Sequence, residues 1–295
     1  MTTLPRIGAW VGPLSQSPAA EGREVAQRLE DAGYGALWIG EAAAKEAFTH
    51  AGTLLAGTQR TMIATGIANL WVRDATTMVA ATQTLAEAYP GRFLLGVGVS
   101  HSPLVDRRGH EYARPLQATA DYLEAMRKVR YYGPKPPEPP QTVLAALGPK
   151  MLALAASHAD GAHPYLVTPE HTAGAREVLG PDRLLAPVVT LALEADPEVA
   201  RDAARRLLSF YLDLDNYRRH LMRQGFTEDD LRDGGSTRLV DEIVGWGSEE
   251  QVLDRVRGHL EAGADHVAVY AVGTDKASMT DQLIRLAPGL HELGA

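Results

Sequence analysis

The sequence predicts a (β/α)₈ barrel, and three observations support this fold class. Short apolar segments alternate with amphipathic ones along the whole chain, which gives eight predicted strands with helices between them. The length of 295 residues is close to that of one such barrel. The first strand ends in Gly-Pro-Leu-Ser, residues 12–15, and lacks the glycine-rich phosphate loop expected of a doubly wound sheet, the alternative fold.

The predicted strands are short runs of apolar and β-branched residues. The run FLLGV, residues 93–97, is continuous enough to be a strand buried on both faces. The proline-rich segment KPPEPP, residues 135–140, is a stiff connector that leads into the fifth strand. In chain order, the eight strands are expected over residues 6–11, 36–39, 61–67, 93–97, 142–147, 162–167, 184–193 and 266–270.

The predicted helices are marked by apolar stripes and by residues that start or stop a helix. Val25 and Leu29 share one stripe of the first helix, and Gly33 ends it. Asp74 is an expected N-cap, and Pro149 suits the first position of a later helix. Helices are expected over residues 19–32, 74–89, 115–131, 149–157, 170–179, 197–214, 249–262 and 278–293. Residues 215–247 form a partly helical insertion after strand seven, and residues 1–295 are expected to form a single domain.

Composition excludes several classes of protein. The chain has no cysteine, which rules out disulfides, thiolate catalysis and cysteine-bound metal centres. A net charge of −8, without a Lys/Arg-rich run, argues against a nucleic-acid partner. The N-terminus does not resemble a signal peptide, and no apolar run approaches the roughly 20 residues needed to span a bilayer. We therefore expect a cytoplasmic protein with a small-molecule substrate.

Glycines recur where the predicted strands end, which is where a barrel carries its active site. A glycine there lets the backbone bend or come close to a planar ligand. The alternative is that each glycine only serves a tight turn. The glycines in question are Gly40, Gly66, Gly98 and Gly148.

The segment Gly148–Pro149–Lys150 starts a helix directly after the fifth strand. Free N–H groups and the helix dipole favour an anion such as a phosphate at this point. Ordinary helix capping is the alternative.

Several titratable side chains lie at the same strand ends. Glu41 is either a proton-handling group or the partner of a nearby arginine. His163 and Tyr165 share one face of the sixth strand, because side chains alternate along a strand. The sequence contains no HExxH metal motif, no P-loop, no GxSxG elbow and no complete GxGxxG, so neither a metal nor a nucleotide triphosphate is expected.

Five segments together resemble the bacterial luciferase-like superfamily, and most of all its branch of oxidoreductases that use the deazaflavin coenzyme F420. They are LWIGE at 37–41, GIAN followed by RD at 66–74, AEAYPGRFLLGVGVSH at 86–101, and the segments 144–171 and 263–270 taken together. The resemblance covers nearly the whole chain. It implies a luciferase-like TIM barrel with an insertion after strand seven, a homodimer, and coenzyme F420 lying across the barrel mouth, with FMN as the alternative cofactor.

The resemblance also implies a set of cofactor-binding residues. A non-proline cis peptide bond at the end of strand three is expected between Gly66 and Ile67, with Asn69 facing the mouth. Gly148 and Pro149 correspond to the phosphate-binding turn of relatives. The full set implied is Gly66, Ile67, Asn69, Gly98, Val99, Leu147, Gly148, Pro149, Lys150 and His163.

The sequence departs from alcohol-oxidising relatives at two positions. Those relatives carry a histidine where this chain has Ala42, and a glutamate where it has His101. The departure favours a reductase that delivers hydride to an activated double bond, carbonyl or nitro group. Glu41, His101 and Tyr165 are then the candidate proton donors. An FMN-dependent monooxygenase, a non-catalytic flavin-binding protein and, more distantly, a metal-dependent hydrolase are the alternatives.

Overall fold

The computed structural model describes residues 4–273 and 276–294, so residues 1–3, 274–275 and 295 of the expected single domain lie outside the described residues. Eleven strands form one sheet. They are β1 (Ile7–Trp10), β2 (Ala36–Ile39), β3 (Met62–Thr65), β4 (Ala68–Asn69), β5 (Phe93–Gly98), β6 (Thr142–Leu144), β7 (Gly161–Ala162), β8 (Leu184–Leu185), β9 (Val188–Ala192), β10 (Gly245–Trp246) and β11 (Val267–Ala271).

Helices follow most of the strands. They are α1 (Ala19–Asp31), α2 (Ala47–Leu55), α3 (Ala75–Ala88), α4 (Ser102–Asp106), α5 (Pro115–Lys128), α6 (Pro149–His158), α7 (Pro169–Leu179), α8 (Pro197–Leu212), α9 (Asp215–Arg223), α10 (Thr237–Ile243), α11 (Glu249–Glu261) and α12 (Lys276–Gly294). The predicted alternation of strand and helix is confirmed.

The sheet is parallel and closes on itself as a barrel. Its order runs β9, β11, β1, β2, β3, β5, β6, β7, β8. β8 and β9 are consecutive segments of one strand, so the two ends of this order meet. Backbone hydrogen bonds join both segments to the stretch of chain that begins with β7. Ala186 N donates to Ala162 O, and Val188 N donates to Pro164 O, each at 2.9 Å. The predicted barrel fold is therefore correct.

The strand on which the barrel closes is interrupted at Pro187. A proline has no N–H to give to a neighbouring strand, so the predicted strand 184–193 divides into β8 and β9. The predicted strands 142–147 and 162–167 are also too long, since regular pairing covers only β6 and β7. Tyr165 still pairs with Val188 in an isolated bridge.

The insertion after strand seven contains α9, α10 and β10. β10 runs parallel to β9, with Gly245 opposite Leu191. Buried side chains of α8, α9 and α10 belong to the same apolar cluster as the barrel interior, where they join Trp38 and Leu94. The insertion therefore packs directly over one side of the barrel mouth.

Side chains along each strand alternate between two apolar clusters. On β2, Leu37 and Ile39 pack outward against the helices. Ala36 and Trp38 point into the barrel. This alternation is the period-two pattern of a strand covered on both faces. It places inward-facing side chains near the strand ends in position to line the mouth.

Candidate active site

A cavity of about 810 Å³ opens at the carboxyl ends of the strands. All three candidate proton donors, Glu41, His101 and Tyr165, line it. So do eight of the ten residues expected to bind a cofactor. The two exceptions are Asn69 and Gly98.

The chain bulges between β3 and β4, and the Gly66–Ile67 peptide bond there is cis, as predicted. Gly66 N donates to Ile39 O at 2.7 Å, which ties the bulge to β2. Gly98 supports the bulge from beneath, since a Cβ at that position would stand 2.7 Å from Ile67 Cγ1. Gly98 thus makes room for Ile67 and does not itself contact the cavity.

The prediction that Asn69 faces the mouth is wrong. Asn69 is only 2% exposed, and its side-chain oxygen accepts a hydrogen bond from Trp71 N at 3.0 Å. This bond caps a 3₁₀ turn, Leu70–Val72, that follows β4. Local capping explains an asparagine at this point, and its buried side chain does not line the cavity.

Of the two roles expected of Glu41, the structure favours that of an arginine partner. Its carboxylate accepts hydrogen bonds from Asn69 N at 2.8 Å and from Ala47 N at 3.2 Å. Both terminal nitrogens of Arg73 also bind it, and the two side chains are 3% and 6% exposed. Since both oxygens are occupied by fixed donors, Glu41 is placed as an ion-pair partner and not as a free proton donor.

Arg73 connects this carboxylate to the surrounding elements. Its guanidinium donates to Asn69 O at 3.1 Å, and its own carbonyl accepts from Tyr122 OH of α5 at 2.8 Å. Glu46, the N-cap of α2, forms a second ion pair with Arg73 at 2.9 Å. The Glu41–Arg73 pair therefore holds the bulge, α2 and α5 together at one edge of the cavity.

His163 lies at the floor of the cavity. Its ring stacks on Trp38 with centroids 3.9 Å apart, and Nδ1 lies 2.7 Å from Ala186 O. Burial lowers the pKa of His163 to about 3, so the ring is neutral near pH 7. A carbonyl only accepts, so Nδ1 carries the proton and Nε2 is an acceptor. Nε2 is buried and has no hydrogen-bond partner among the described residues.

Aromatic side chains form one wall of the cavity. Tyr165 stacks against Trp10, with ring planes 11° apart, and meets the edge of Tyr211 at 5.1 Å between centroids. His101 packs against Tyr217 at 5.7 Å. Burial lowers the pKa of His101 to about 4 and raises the pKa of Tyr165. Both side chains are therefore uncharged near neutral pH.

One end of the cavity carries positive charge. Gly148 is the N-cap of α6 without a side-chain cap, and Pro149 occupies the first turn. Arg223 of α9 lies over Gly148, since a Cβ there would stand 3.3 Å from one of its terminal nitrogens. Lys150 also lines the cavity. A helix N-terminus flanked by two cations suits an anion such as a phosphate.

Sequence reasoning missed several residues that line the cavity. Trp10 and Tyr270 could have been found, because they lie at the ends of strands one and eight. Tyr211, Tyr217 and Arg223 gave no signal, because the sequence does not show which way α8 and the insertion face.

No cluster of three or more His, Cys, Asp or Glu side chains suited to a metal ion occurs within residues 4–273 and 276–294. Within those same ranges, no helix combines the length and apolar character that a membrane crossing requires.

Comparison with known proteins supports the family resemblance. Over 125 residues, 42% of this chain, it is 30% identical to a Mycobacterium tuberculosis protein named as a coenzyme F420-dependent oxidoreductase, and the match spans 36% of that relative's length. It is 25% identical to the 5,10-methylenetetrahydromethanopterin reductase of Archaeoglobus fulgidus, covering 84% of this chain and 88% of that one.

Solved structures share the fold. An F420-dependent secondary alcohol dehydrogenase in complex with an F420–acetone adduct superposes with a TM-score of 0.78 at 19% identity, covering 97% of this chain and 99% of the other. The F420-dependent tetrahydromethanopterin reductase of Methanopyrus kandleri gives a TM-score of 0.73 at 16% identity, with 96% of each chain covered. The family model of the luciferase-like monooxygenases matches residues 1–266. This chain belongs to the luciferase-like monooxygenase family.

Proposed function

We propose that the protein is a coenzyme F420-dependent oxidoreductase that transfers hydride between the deazaflavin and a small organic substrate. The observation that carries the proposal is the division of the cavity. An uncapped helix N-terminus with Arg223 and Lys150 lies at one end, and a floor of Gly66, Ile67 and His163 lies next to it. A planar ring joined to a phosphate matches this division.

The residues present fit such a cofactor. The unpartnered Nε2 of His163 calls for a ligand that donates a hydrogen bond. The lack of a side chain at Gly66 leaves room for a ring to approach, and the backbone N–H groups of α6 suit a phosphate. Two relatives named for F420 or a methanopterin substrate support the same class of enzyme.

When bound, the deazaflavin would supply or accept the hydride. The chain's own contribution is positioning and proton handling. The Glu41–Arg73 pair fixes the bulge under the ring, and the aromatic wall keeps water from the reacting atoms. His101 and Tyr165 line the cavity and are the proposed proton donors for a reduced substrate. Tyr165 would donate from its neutral phenol, and His101 from its protonated imidazole.

A fluorescence titration tests the cofactor assignment. Oxidised F420 and FMN are added separately to the purified protein. We expect F420 to bind with a dissociation constant of micromolar or below, and FMN to bind more weakly. Binding of FMN alone would contradict the proposal and favour a flavin-dependent monooxygenase.

Catalysis is tested separately from binding. Reduced F420 should be consumed when an electron-poor enone or nitroarene is added with the enzyme. Consumption should fall at least tenfold in His101→Gln or Tyr165→Phe if that residue gives the proton. A protein that binds F420 and never oxidises it with any acceptor would be a binding protein instead. A homodimer in the cytoplasm is also part of this proposal.

A further inference from the structure

Two nitrogen atoms converge on Gly66 at the floor of the cavity. From the point where a Cβ of residue 66 would stand, His163 Nε2 is 2.8 Å away and Trp10 Nε1 is 3.1 Å away. These two nitrogens therefore lie within about 6 Å of each other, on the same side of the glycine.

The two nitrogens have opposite hydrogen-bonding roles. The indole N–H of Trp10 can only donate. His163 Nε2 can only accept, because Nδ1 is committed to Ala186 O at 2.7 Å. His163 is 4% exposed, and no described residue supplies the hydrogen that its Nε2 lacks. An unsatisfied buried acceptor is destabilising, and a ligand N–H would offset this cost.

Both rings are held in place by their surroundings. His163 lies flat on Trp38, with ring planes 6° apart. Trp10 fits a groove between glycines, because a Cβ at Gly12 would stand 2.0 Å from the indole and one at Gly40 would stand 3.3 Å from it. Tyr270 tilts against the same indole at 4.7 Å between centroids. The donor and the acceptor are thus fixed before any ligand arrives.

We propose that Trp10 and His163 recognise the lactam edge of the cofactor's pyrimidine ring, with Trp10 donating to a ring carbonyl and His163 accepting from the adjacent ring N–H. This inference rests on the proposed function and names the contact that orients the coenzyme. A ligand carbonyl without a neighbouring N–H would leave His163 Nε2 without a hydrogen bond. Its oxygen would also face the lone pair of that nitrogen. An edge with a C=O next to an N–H satisfies both nitrogens at once.

N-methylated analogues test the contact directly. The dissociation constants of 5-deazariboflavin and its N3-methyl derivative are measured by fluorescence for the wild type and for His163→Phe, which keeps a flat ring against Trp38. For the wild type, methylation should weaken binding at least tenfold. For His163→Phe, the two compounds should bind within threefold of each other.

Trp10→Phe separates the two halves of the contact. It removes the indole N–H but leaves an aromatic ring beside Tyr165. We expect it to weaken binding of both compounds at least threefold and to keep the discrimination against the methyl group. Melting temperatures of all variants confirm that each is folded.

The possible results distinguish this inference from the proposed function. Equal wild-type affinity for both compounds would overturn the inference while leaving the deazaflavin assignment intact. An equal methylation penalty in the wild type and in His163→Phe would also overturn it, since the methyl group would then collide elsewhere. The same result is expected if His163 Nε2 accepts its hydrogen bond from a hydroxyl group of the ligand and not from the ring N–H. Failure of both compounds and of F420 to bind the wild type would refute the cofactor and the inference together.

Discussion

Glu41 is a residue whose place in the sequence is compatible with two different roles. A carboxylate at a strand end suggests either acid–base chemistry or an arginine partner. The arginine that decides between these roles, Arg73, lies 32 positions further along the chain. Nothing local indicates that the two meet. Sequence therefore located the residue correctly at the mouth, but its role depended on a tertiary contact.

Replacing Glu41 tests its structural role. Glu41→Gln leaves the buried guanidinium of Arg73 with only Glu46 as a charged partner, and loss of one member of a buried pair costs about 3–5 kcal/mol. We expect urea denaturation to show a free energy of unfolding lower by at least about 2 kcal/mol, because one member of a buried ion pair is lost.

Glu46→Gln is the matched control for that measurement, because Glu46 binds the same arginine from a side chain that is 46% exposed. It should cost less than about 1 kcal/mol. An unchanged stability in Glu41→Gln combined with lost turnover would restore the catalytic role for Glu41.

At the scale of elements, the amphipathic pattern was a good guide where caps were conventional. Asp74 caps α3 by accepting from Thr77 N, as the sequence predicted. α2 was missed because its N-cap is Glu46, and glutamate is not among the residues that usually mark a helix start. Strand lengths were overestimated, since apolar runs continue into loops that pack in the core without regular pairing.

The contribution of α9 to binding an anion at Gly148 can be tested. Arg223→Gln removes the cation over Gly148, and a charge-assisted hydrogen bond is worth about 1.5–3 kcal/mol. We expect the dissociation constant for F420 to rise at least tenfold and its dependence on salt to weaken. Fluorescence titration at two ionic strengths measures both.

Arg218→Gln is the control on the same helix. Arg218 pairs with Glu228 and does not line the cavity, so its removal should change the affinity less than threefold. A larger effect at Arg218 than at Arg223 would contradict an anion site over Gly148.

At the scale of the whole molecule, the chain length and alternating pattern were enough to predict a barrel, and the family resemblance placed the cis bond at residues 66 and 67. The sequence did not show which elements cover the barrel mouth. It depends on how α8, α9 and α10 pack onto the barrel interior, and residues such as Leu208 and Leu239 reveal their burial only in three dimensions.

We predict that α8, the insertion and the barrel unfold as one cooperative unit. Leu208→Ala, at a fully buried position of α8, should lower the free energy of unfolding by about 2–5 kcal/mol. Tryptophan fluorescence and circular dichroism should report a single coincident transition.

Val199→Ala, at a position of α8 that is 48% exposed, is the control. It should shift stability by no more than about 0.5 kcal/mol. Two separated transitions in Leu208→Ala would show that α8 and the insertion unfold independently of the barrel.

The aromatic wall has a consequence for altering what the enzyme accepts. Phe210, Tyr211 and Tyr217 come from α8 and α9, whereas the bulge that lies beneath the proposed coenzyme belongs to the barrel and is anchored by Glu41 and Arg73. Randomising those three aromatic positions would reshape the chamber next to the reacting atoms without disturbing the bulge. A small library in two helices would therefore be enough to search for new substrates, while the bulge and its ion pair stay unchanged.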